Sequence, residues 1–450
     1  MSFAPEIVWL RDDLRLADNP ALSAAAASGA PVLVVYLFDE ASPGIRPLGG
    51  ASRWWLHHSL ESLRRSLEDI GGRLILRSGP AVEAITRLVE ETDARAVHWN
   101  RRYTAARQVD AELKSRLREQ GVEAISYQAS LLFEPWTIST ATGTPYRVFT
   151  PFWRACLAAP HPRPPLAAPT GLAFEASANI PSDRLDDWQL LPKHPEWAGG
   201  LAARWQPGEA SALTTLEDFA TDGLSDYGHR DEPARDSTSH LSPHLRFGEI
   251  SPFQVWDRLH GLGGSDAFLR RIGWREFNWS ILFHSPEIAT RNLHEEFDAF
   301  PWQKPQPAEL HAWQQGETGI PLVDAGMREL WATGYMHNRV RMVAASFLIK
   351  NLLIDWRIGE AWFWDTLVDA DEANNPGNWQ WVAGSGADAA PYFRVFNPVL
   401  QAKKFDGREE YIRRWIPDGE LRPEPIVDLA QTRQAALAAY DVVRRAGGRQ

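Results

Sequence analysis

The sequence predicts an α/β N-terminal domain, built on a doubly wound parallel sheet, followed by an all-α C-terminal domain. Two observations predict the first domain: the apolar runs at 6–10 and 31–38 are typical of buried strands, and helical and strand-like segments alternate up to about residue 130. A third predicts the second domain, because the apolar period becomes helical almost throughout beyond about residue 205. At 450 residues, the chain is also longer than one hydrophobic core usually supports.

Capping and turn residues bound the elements of the first domain. The first helix should begin with Asn19 as N-cap and Pro20 at its first position, and should close at Gly29. The later elements are, in order, the helix SRWWLHHSLESLRRSLEDIGG, the strand RLILRSG, the helix AVEAITRLVEETD, the strand AVHWN, the helix AARQVDAELKSRLREQG and the strand VEAISYQ. Such alternation implies helices on both faces of a parallel sheet, with any ligand at the carboxyl ends of the strands, at the switch point. No G-x-G-x-x-G follows the first strand and no P-loop occurs, so a standard dinucleotide or triphosphate site is not predicted.

We divide the chain into the α/β domain at 1–130, a linker at 131–204 and the helical domain at 205–450. Eight prolines fall between residues 160 and 195, a density that few helices or strands tolerate. The linker should therefore run over the surface.

Composition excludes several classes of protein. The net charge of -11 argues against nucleic-acid binding driven by the field of the whole molecule, but not against a local basic groove. Cations that could line such a groove, or form an ordinary solvated face, are Arg339, Arg341, Arg394, Lys403, Lys404 and Arg408. The single cysteine, Cys156, excludes an internal disulfide and a four-cysteine zinc or iron–sulfur site. No run approaches 18 apolar residues and the start lacks a leader pattern, so we expect a soluble, cytoplasmic protein.

Two polar motifs stand out in the second domain. Thr238, Ser239 and Ser242 precede a helical run and would suit a phosphate, although a helix-capping cluster would look similar. In YMHNRVRMVAASF, a buried Arg341 needs a carboxylate partner, and LVDADEANN offers Asp369 and Asp371. We rank an ion pair above a metal site or an acid/base pair, because no His or Glu stands at ligand spacing. No metal site is predicted, and His57, His58 and His337 should be structural or solvent-facing.

The tryptophans raise a separate question. The chain has 21 of them, far above ordinary use, and Trp379 and Trp381 lie one residue apart in NNPGNWQW. Core packing is the default expectation for any one tryptophan, and only a cluster near a cofactor would overturn it.

Several stretches together carry a resemblance. They are VWLRDDLRLADNPAL, TSxLSPxLRFGEIS, WREF, ATGYMHNRVRMVAASFLIKNLLIDWR and LVDAD…NNPGNWQWVAGSGADAAPYFRVFNP, and they span essentially the whole chain. In sequence and order they resemble the photolyase/cryptochrome family, most nearly a bacterial class I, or the similar class III, cyclobutane-pyrimidine-dimer DNA photolyase. The resemblance implies an N-terminal α/β antenna domain and a C-terminal helical domain that holds a U-shaped FAD.

The resemblance also implies roles for individual residues. Electron transfer to the flavin would use Trp302, Trp356 and Trp379, from the surface inward. The FAD would be held by Tyr227, Thr238, Ser239, His240, Leu241, Ser242, Arg275, Arg341, Asp369, Ala370, Asp371 and Asn375, with Asn375 facing the flavin N5 region. DNA and the flipped lesion would contact Arg230, Arg271, Trp274, Asn278, Asn338, Arg339, Met342, Trp381, Arg394 and Gln401.

Two positions depart from the family pattern. Arg271 stands where dimer photolyases usually have Glu, and a guanidinium can donate to a thymine carbonyl but cannot accept the thymine N3–H. The stretch YTAAR at 103–107 lacks the Asn-Glu pair that resembles a folate antenna site. An antenna chromophore is still expected, of the folate or deazaflavin type.

We therefore expect light-driven repair of pyrimidine dimers in UV-damaged DNA, with reduced FAD as the electron donor and the protein acting as a monomer. A cryptochrome-like photoreceptor without repair activity is the alternative, favoured by Arg271 and the acidic net charge. An electron-transfer flavoprotein with no role on DNA is a third, remote reading. Repair of six-four photoproducts is less expected, because eukaryotic members that do this carry paired histidines where this chain has His337 and Asn338.

Overall fold

The N-terminal domain is a five-stranded parallel sheet in a computed structural model that describes residues 4–175, 180–193, 196–389, 393–420 and 422–448. The strand order is β3-β2-β1-β4-β5, so the chain reverses its winding between β1 and β4. Its strands are β1 (Glu6–Leu10), β2 (Val32–Phe38), β3 (Leu74–Ser78), β4 (Ala96–Asn100) and β5 (Glu123–Tyr127). The predicted doubly wound α/β architecture is confirmed.

Four helices cover the two faces of the sheet: α1 (Pro20–Ala27), α2 (Gly50–Asp69), α3 (Ala81–Thr92) and α4 (Arg107–Glu119). Helices α1 and α2 pack on the face that carries Val8 and Leu10, and α3 and α4 pack on the face that carries Ile7 and Trp9. The first helix has the predicted ends: the Asn19 side chain accepts the Leu22 N–H, and Gly29 has a φ of 70°.

The rest of the described chain contains no strand beyond the bridge between Val32 and Phe174, in agreement with the all-α prediction. Its helices are α5 (Phe149–Ala158), α6 (Gly199–Arg204), α7 (Glu209–Asp218), α8 (Leu224–Asp226), α9 (Ser242–Phe247), α10 (Pro252–Leu259), α11 (Asp266–His284), α12 (Pro307–Gln315), α13 (Pro321–Thr333), α14 (Asn338–Ser346), α15 (Trp356–Thr366), α16 (Asn374–Ala383), α17 (Pro398–Phe405), α18 (Glu410–Trp415) and α19 (Leu429–Gly447). Within the described range, no helix is long and apolar enough to cross a membrane.

Between the two domains, the segment predicted as a linker has two different parts. Its Pro-rich part contributes one 3-10 turn, Leu185–Trp188, apart from 176–179 and 194–195, which lie outside the described residues. Helix α5 instead packs on α11 and belongs to a core of the helical domain, where Phe149 and Phe152 are buried. A second core of this domain surrounds Trp313 and Trp379 and is built by α13 to α16.

Candidate functional site

An ion pair between Arg341 and Asp369 joins α14 to the segment before α16. The Arg341 Nη1 and Nη2 atoms donate to the Asp369 carboxylate at 3.0 and 2.9 Å, and Nε donates to the Met336 carbonyl at 2.6 Å. Burial alone would lower the pKa of Arg341, but the charge and hydrogen bonds of Asp369 raise it. Ser242, the first residue of α9, donates its hydroxyl to Asp369 at 2.7 Å. The carboxylate partner predicted for Arg341 is therefore Asp369.

Asp371 has a different function, because it caps α16. Its Oδ1 accepts the backbone N–H groups of Ala373 and Asn374 at 2.8 and 2.5 Å, and its Oδ2 accepts the Asn374 side-chain amide at 2.7 Å. The preceding carbonyl, of Ala370, accepts from Arg246 Nε at 2.9 Å. These contacts fix the backbone immediately before Asn375.

Asn375 is bound to a residue that the sequence did not single out. Its Nδ2 donates to the backbone carbonyl and to the Oε1 of Glu360, at 3.0 and 2.8 Å. Glu360 in turn accepts two hydrogen bonds from Arg46 of the N-terminal domain, at 2.7 and 2.8 Å. A buried acid on α15 implies a cation, but no sequence pattern links it to a position 314 residues away.

The hydroxyl-bearing segment before α9 lies against aromatic side chains. His240 adopts a left-handed backbone with φ of 51°, and its Nε2 contacts the Asp236 carboxylate. Its ring also packs edge-on against Tyr335, 5.7 Å between centroids. The Ser239 hydroxyl accepts the Leu241 N–H at 3.4 Å. The turn thus presents hydroxyls on a fixed backbone, which suits both readings of this motif, a phosphate site and a capping cluster.

Tyr227 lies beside two arginines. The Arg230 Nη1 donates to the Tyr227 carbonyl at 3.2 Å, and its guanidinium lies 5.1 Å from the ring centroid. Burial raises the pKa of Tyr227, and the Arg271 guanidinium, which bonds to it, opposes the rise. Arg271 itself is exposed on α11.

Several buried polar atoms around this segment have no hydrogen-bond partner among the described residues. They are Arg230 Nε, Ser237 Oγ, His240 Nδ1 and Arg339 Nε. Because buried polar groups are nearly always satisfied, these atoms are available to a ligand rich in polar atoms. The donor set also fits FAD, whose phosphates and ribityl hydroxyls require hydroxyl and N–H partners.

Trp379 lies at the centre of a buried aromatic cluster. It packs edge-on against Phe363 and Trp313, with ring centroids 4.9 and 6.3 Å away. A Cβ at Gly359 would lie 2.2 Å from its ring, so α15 approaches α16 closely only because this residue is glycine. The sequence interpretation did not single out Trp313 as its neighbour.

The other two predicted electron carriers lie at different depths. Trp356 is fully buried and donates its indole N–H to Asn292 Oδ1 at 3.0 Å. Trp302 is half-buried and packs on Phe300, 4.2 Å between ring centroids. Trp356 and Trp379 belong to one core, against which Trp302 also packs.

On α11, Trp274 stacks on Phe149 of α5, with centroids 4.0 Å apart and planes 10° from parallel. One turn further, Asn278 Nδ2 donates to Asn374 Oδ1 at 2.9 Å. The predicted lesion residues of α11 are therefore coupled both to α5 and to the start of α16.

At the start of α14, Asn338 Nδ2 lies 4.0 Å from the Met342 sulfur, as their spacing of one helical turn predicts. Arg339 pairs with Asp231 at 2.9 Å and lies over the Phe405 ring, 4.4 Å from its centroid. Its guanidinium is thus held rigidly rather than free in solvent.

Trp381 lies near the end of α16, whereas Arg394 follows that helix and Gln401 lies on α17. The Trp381 indole donates to the Asp388 carbonyl at 3.1 Å. Arg394 and Trp381 line the same pocket, and Arg394 lies 5.8 Å from the Phe396 ring centroid. The Gln401 Oε1 is buried without a partner among the described residues.

A cleft lies between the two domains, at the switch point of the sheet. It follows β1 and β4 and is lined by Arg11, Asp12, Asp13, Arg15, Asn100, Arg101, Arg102, Tyr103, Thr104, Ser130, Leu245, Arg246, Gly248, Ile250, Pro252, Arg275 and Trp279. This is where the sequence predicts a ligand of the first domain. Arg275, predicted as a cofactor residue, donates to the Ser130 carbonyl at 2.8 Å and lines this cleft.

Comparison with known proteins now identifies the family. The signature of DNA photolyase matches residues 6–170, and that of the FAD binding domain of DNA photolyase matches residues 268–423. A deoxyribodipyrimidine photo-lyase of Agrobacterium fabrum is 49% identical, over 98% of each chain. The chain belongs to the DNA photolyase family.

Similarity to two further proteins indicates where the chain lies within that family. The crystal structure of a bacterial class III photolyase from Agrobacterium tumefaciens is similar, with a TM-score of 0.95 and 47% identity, over 99% of this chain and 98% of that one. Cryptochrome-1 of Arabidopsis thaliana is 37% identical, over 92% of this chain and 62% of that protein. This photolyase-family chain therefore carries an FAD-binding domain, and it is more similar to these two Agrobacterium photolyases than to the cryptochrome.

One histidine cluster of this photolyase-family chain lies away from all these residues. On α2, Glu61 lies 3.3 Å from His58 Nδ1 and 4.0 Å from His57 Nε2, a grouping of ligand atoms that the sequence interpretation did not anticipate. Burial lowers the pKa of His57. Glu61 lies one helical turn after the two adjacent histidines, a spacing at which such pairs form without a metal.

Proposed function

We propose that the protein repairs cyclobutane pyrimidine dimers in DNA by a light-driven lyase reaction. The observation that carries this proposal is the convergence of α14, α15 and α16, which bring the Arg341–Asp369 pair, Asn375 and buried Trp379 to one side of the helical domain. The 49% identity of this chain to a deoxyribodipyrimidine photo-lyase, over nearly its whole length, supports the same activity.

FAD would be held mainly by the loop before α9 and by α14. Thr238, Ser239, Ser242 and the backbone at His240 and Leu241 would bind its phosphates and ribityl chain, next to Tyr227. The Arg341–Asp369 pair and Asp371 would border the flavin ring, with Ala370 between them and Asn375 at N5. When bound and reduced, the cofactor supplies an electron to the lesion upon excitation by light.

The tryptophans would connect the cofactor to the solvent. Trp302 is half-buried, whereas Trp356 and Trp379 lie in the core, so the three span the depth of the domain. We infer that they deliver electrons from the surface. Their burial also excludes water, which would otherwise solvate a transferred charge.

A flipped pyrimidine dimer would rest between aromatic and amide groups. Trp274 and Trp381 offer planar faces for its bases, and Asn278, Asn338 and Met342 offer an amide or thioether contact. Trp274 is suited to this because Phe149 supports its ring from behind. Arg230, Arg339 and Arg394 would bind phosphates and Gln401 the strand, so affinity for DNA should fall with salt.

The interdomain cleft is where we place the antenna chromophore, of the folate or deazaflavin type. It has aromatic side chains, Tyr103 and Trp279, and guanidinium groups, including Arg101 and Arg102, which suit a planar anion. We propose further that the protein acts as a cytoplasmic monomer with an α/β domain at 1–130 and a helical domain at 205–450, to which α5 of the intervening 131–204 segment is attached by its packing on α11.

A photoreceptor without repair activity is the second candidate, and Arg271 favours it. This guanidinium interacts with Tyr227 and cannot accept a thymine N3–H. The two candidates predict different binding, because a repair enzyme should prefer dimer-containing over undamaged DNA and a receptor need not.

The deciding experiment follows dimer loss from an irradiated thymine oligonucleotide, by absorbance of the thymine band, with fully reduced flavin in light and in darkness. Recovery of absorbance in light alone supports repair. Equal absorbance in light and darkness, with the flavin shown to be reduced, would reject repair and favour the receptor.

A further inference from the structure

We propose that Arg46, a residue of the N-terminal domain, is a positioning residue for the flavin. Through Glu360, it fixes which atom of the Asn375 amide faces the cofactor. The inference rests on the proposed FAD site, in which Asn375 borders N5.

The orientation of the Asn375 amide is set by two acceptors. One is the Glu360 backbone carbonyl at 3.0 Å and the other is its Oε1 at 2.8 Å, and neither can donate while the carboxyl is ionised. The nitrogen of the amide must therefore face Glu360. The Oδ1 atom points elsewhere and accepts no hydrogen bond from the described residues.

Glu360 is buried together with a cationic partner. Its side chain is only 3% exposed, and an unpaired carboxylate is costly to bury. Arg46 supplies the charge through a bidentate pair, Nη1 to Oε1 at 2.7 Å and Nη2 to Oε2 at 2.8 Å. The same Oε1 accepts from Asn375, so one carboxylate oxygen connects the guanidinium to the amide.

The loop that carries Arg46 is itself fixed on α15. The Arg46 guanidinium lies 3.9 Å from the Trp364 ring centroid, and the Trp364 indole donates to the Pro47 carbonyl at 2.9 Å. A Cβ at Gly49 would lie 2.1 Å from the Trp364 carbonyl, so only glycine permits this approach. The pair is thus held by packing on both sides and not only by its charges.

The chemical consequence concerns the hydrogen at N5. A reduced flavin carries a hydrogen there, for which a fixed amide oxygen is a suitable acceptor, whereas N5 of an oxidised flavin is itself an acceptor. With Nδ2 held by Glu360, Asn375 favours the reduced form. The N-terminal domain therefore contributes to the reduction potential of a cofactor bound in the other domain.

Loss of Arg46 should reverse this preference. Without the guanidinium, an unpaired Glu360 carboxylate is costly to keep buried beside Asn375, so it moves away and the amide loses this fixed acceptor. The amide can then turn and present Nδ2 to N5. We expect the equilibrium between reduced and oxidised flavin to shift about tenfold toward the oxidised form, which is about 30 mV for a two-electron couple.

The experiment measures the midpoint potential of the bound flavin by spectroelectrochemistry in the full-length holoprotein. Arg46→Met should lower the potential, and Arg46→Lys, which keeps the charge, should lower it less. The double variant Arg46→Met with Glu360→Gln should restore the wild-type value, because a glutamine carbonyl accepts from Asn375 and leaves no buried charge. If Arg46→Met does not fold, Arg46→Gln carries the same test and the same expected fall.

The matched control is Arg53→Met. Arg53 holds the same loop, with Nε on the Leu48 carbonyl at 3.0 Å and Nη2 on Glu40 at 2.6 Å, but it does not contact Glu360. The midpoint potential of the flavin in Arg53→Met should equal that in the wild type. An unchanged potential in folded Arg46→Met or Arg46→Gln would overturn the proposal, as would an equal fall in Arg53→Met or no recovery in the double variant.

Dimer repair is measured in parallel on the same preparations. If the variants show the predicted potentials but the wild-type protein does not repair DNA, the proposed function is contradicted. The role of Arg46 in setting the potential is then still supported. Normal repair with unchanged potentials removes the role of Arg46 alone.

Discussion

Trp55 of the N-terminal domain donates its indole N–H to Glu249 of the helical domain at 3.1 Å, and both residues are fully buried. Glu249 also accepts the Gly208 N–H at 2.7 Å and contacts His244 Nδ1 through its other oxygen. One carboxylate thus satisfies three donors where the two domains meet.

Replacing that carboxylate should destabilise the whole chain. Glu249→Ala leaves the Trp55 and Gly208 donors buried without partners, and we expect the free energy of unfolding to fall by about 3–5 kcal/mol. Urea denaturation followed by tryptophan fluorescence measures the change. Glu217→Ala, which removes an exposed pair with Arg258, is the control and should leave the midpoint unchanged. Equal midpoints for both variants would contradict this reading of Glu249.

Trp379→Phe should separate photoreduction from repair. The substitution keeps an aromatic ring beside Phe363 and Trp313 but removes the more easily oxidised indole. Photoreduction of oxidised flavin should fall by an order of magnitude or more, whereas dimer repair by chemically reduced protein should persist. Flavin absorbance under blue light measures the first and thymine absorbance the second. Undiminished photoreduction would show that Trp379 is not the donor next to the flavin.

Arg271→Glu should improve recognition of the dimer. A carboxylate can accept the thymine N3–H, and one added hydrogen bond is worth roughly two- to tenfold in affinity. Competition binding with dimer-containing and undamaged oligonucleotides measures the ratio. Arg270→Glu, one residue earlier on the same helix, controls for the change of charge. A ratio that falls, or rises equally in both variants, would mean that the pocket does not use this position as proposed.

Glu276 should make stability depend on pH. Burial raises its pKa to about 7 in the folded chain, against 4.5 for an ordinary glutamate. The folded state therefore binds a proton more tightly than the unfolded state, so this group lowers stability as pH rises from 4.5 to 7. Glu276→Gln should remove that slope and should raise the free energy of unfolding at pH 8, relative to the wild type, by up to about 3 kcal/mol. If the free energy of unfolding changes with pH in the same way in the wild type and in Glu276→Gln, this effect of Glu276 is excluded.

Local patterns account for the parts of the fold that the sequence predicts well. The ends of α1 follow from Asn19, Pro20 and Gly29, each of which acts within a few residues of its own position. Strands β1 and β2 are apolar because they are buried on both faces. The need of Arg341 for a carboxylate partner was also predictable, since Asp369 and Asp371 are both near in sequence, but the choice of Asp369 depends on how the segment packs on α14.

Contacts between distant segments could not be read in the same way. The Arg46–Glu360 pair joins residues 314 apart, and neither local sequence differs from an ordinary surface turn or helix. The position of the Arg275 side chain in the interdomain cleft depends on where Ser130 arrives after β5. Such contacts follow from how the domains pack, which residue periodicity does not encode.

The stacking of Phe149 on Trp274 bears on how this protein can be cut and recombined. A fragment that begins at residue 205 would lack α5, and the rear face of Trp274 would be open to water. Exchange of the helical half between homologues should therefore succeed only when the crossover lies upstream of α5. Chimeras joined between β5 and Phe149 would carry the tryptophan together with its support, and their interchangeable unit would begin well before the proline-rich stretch.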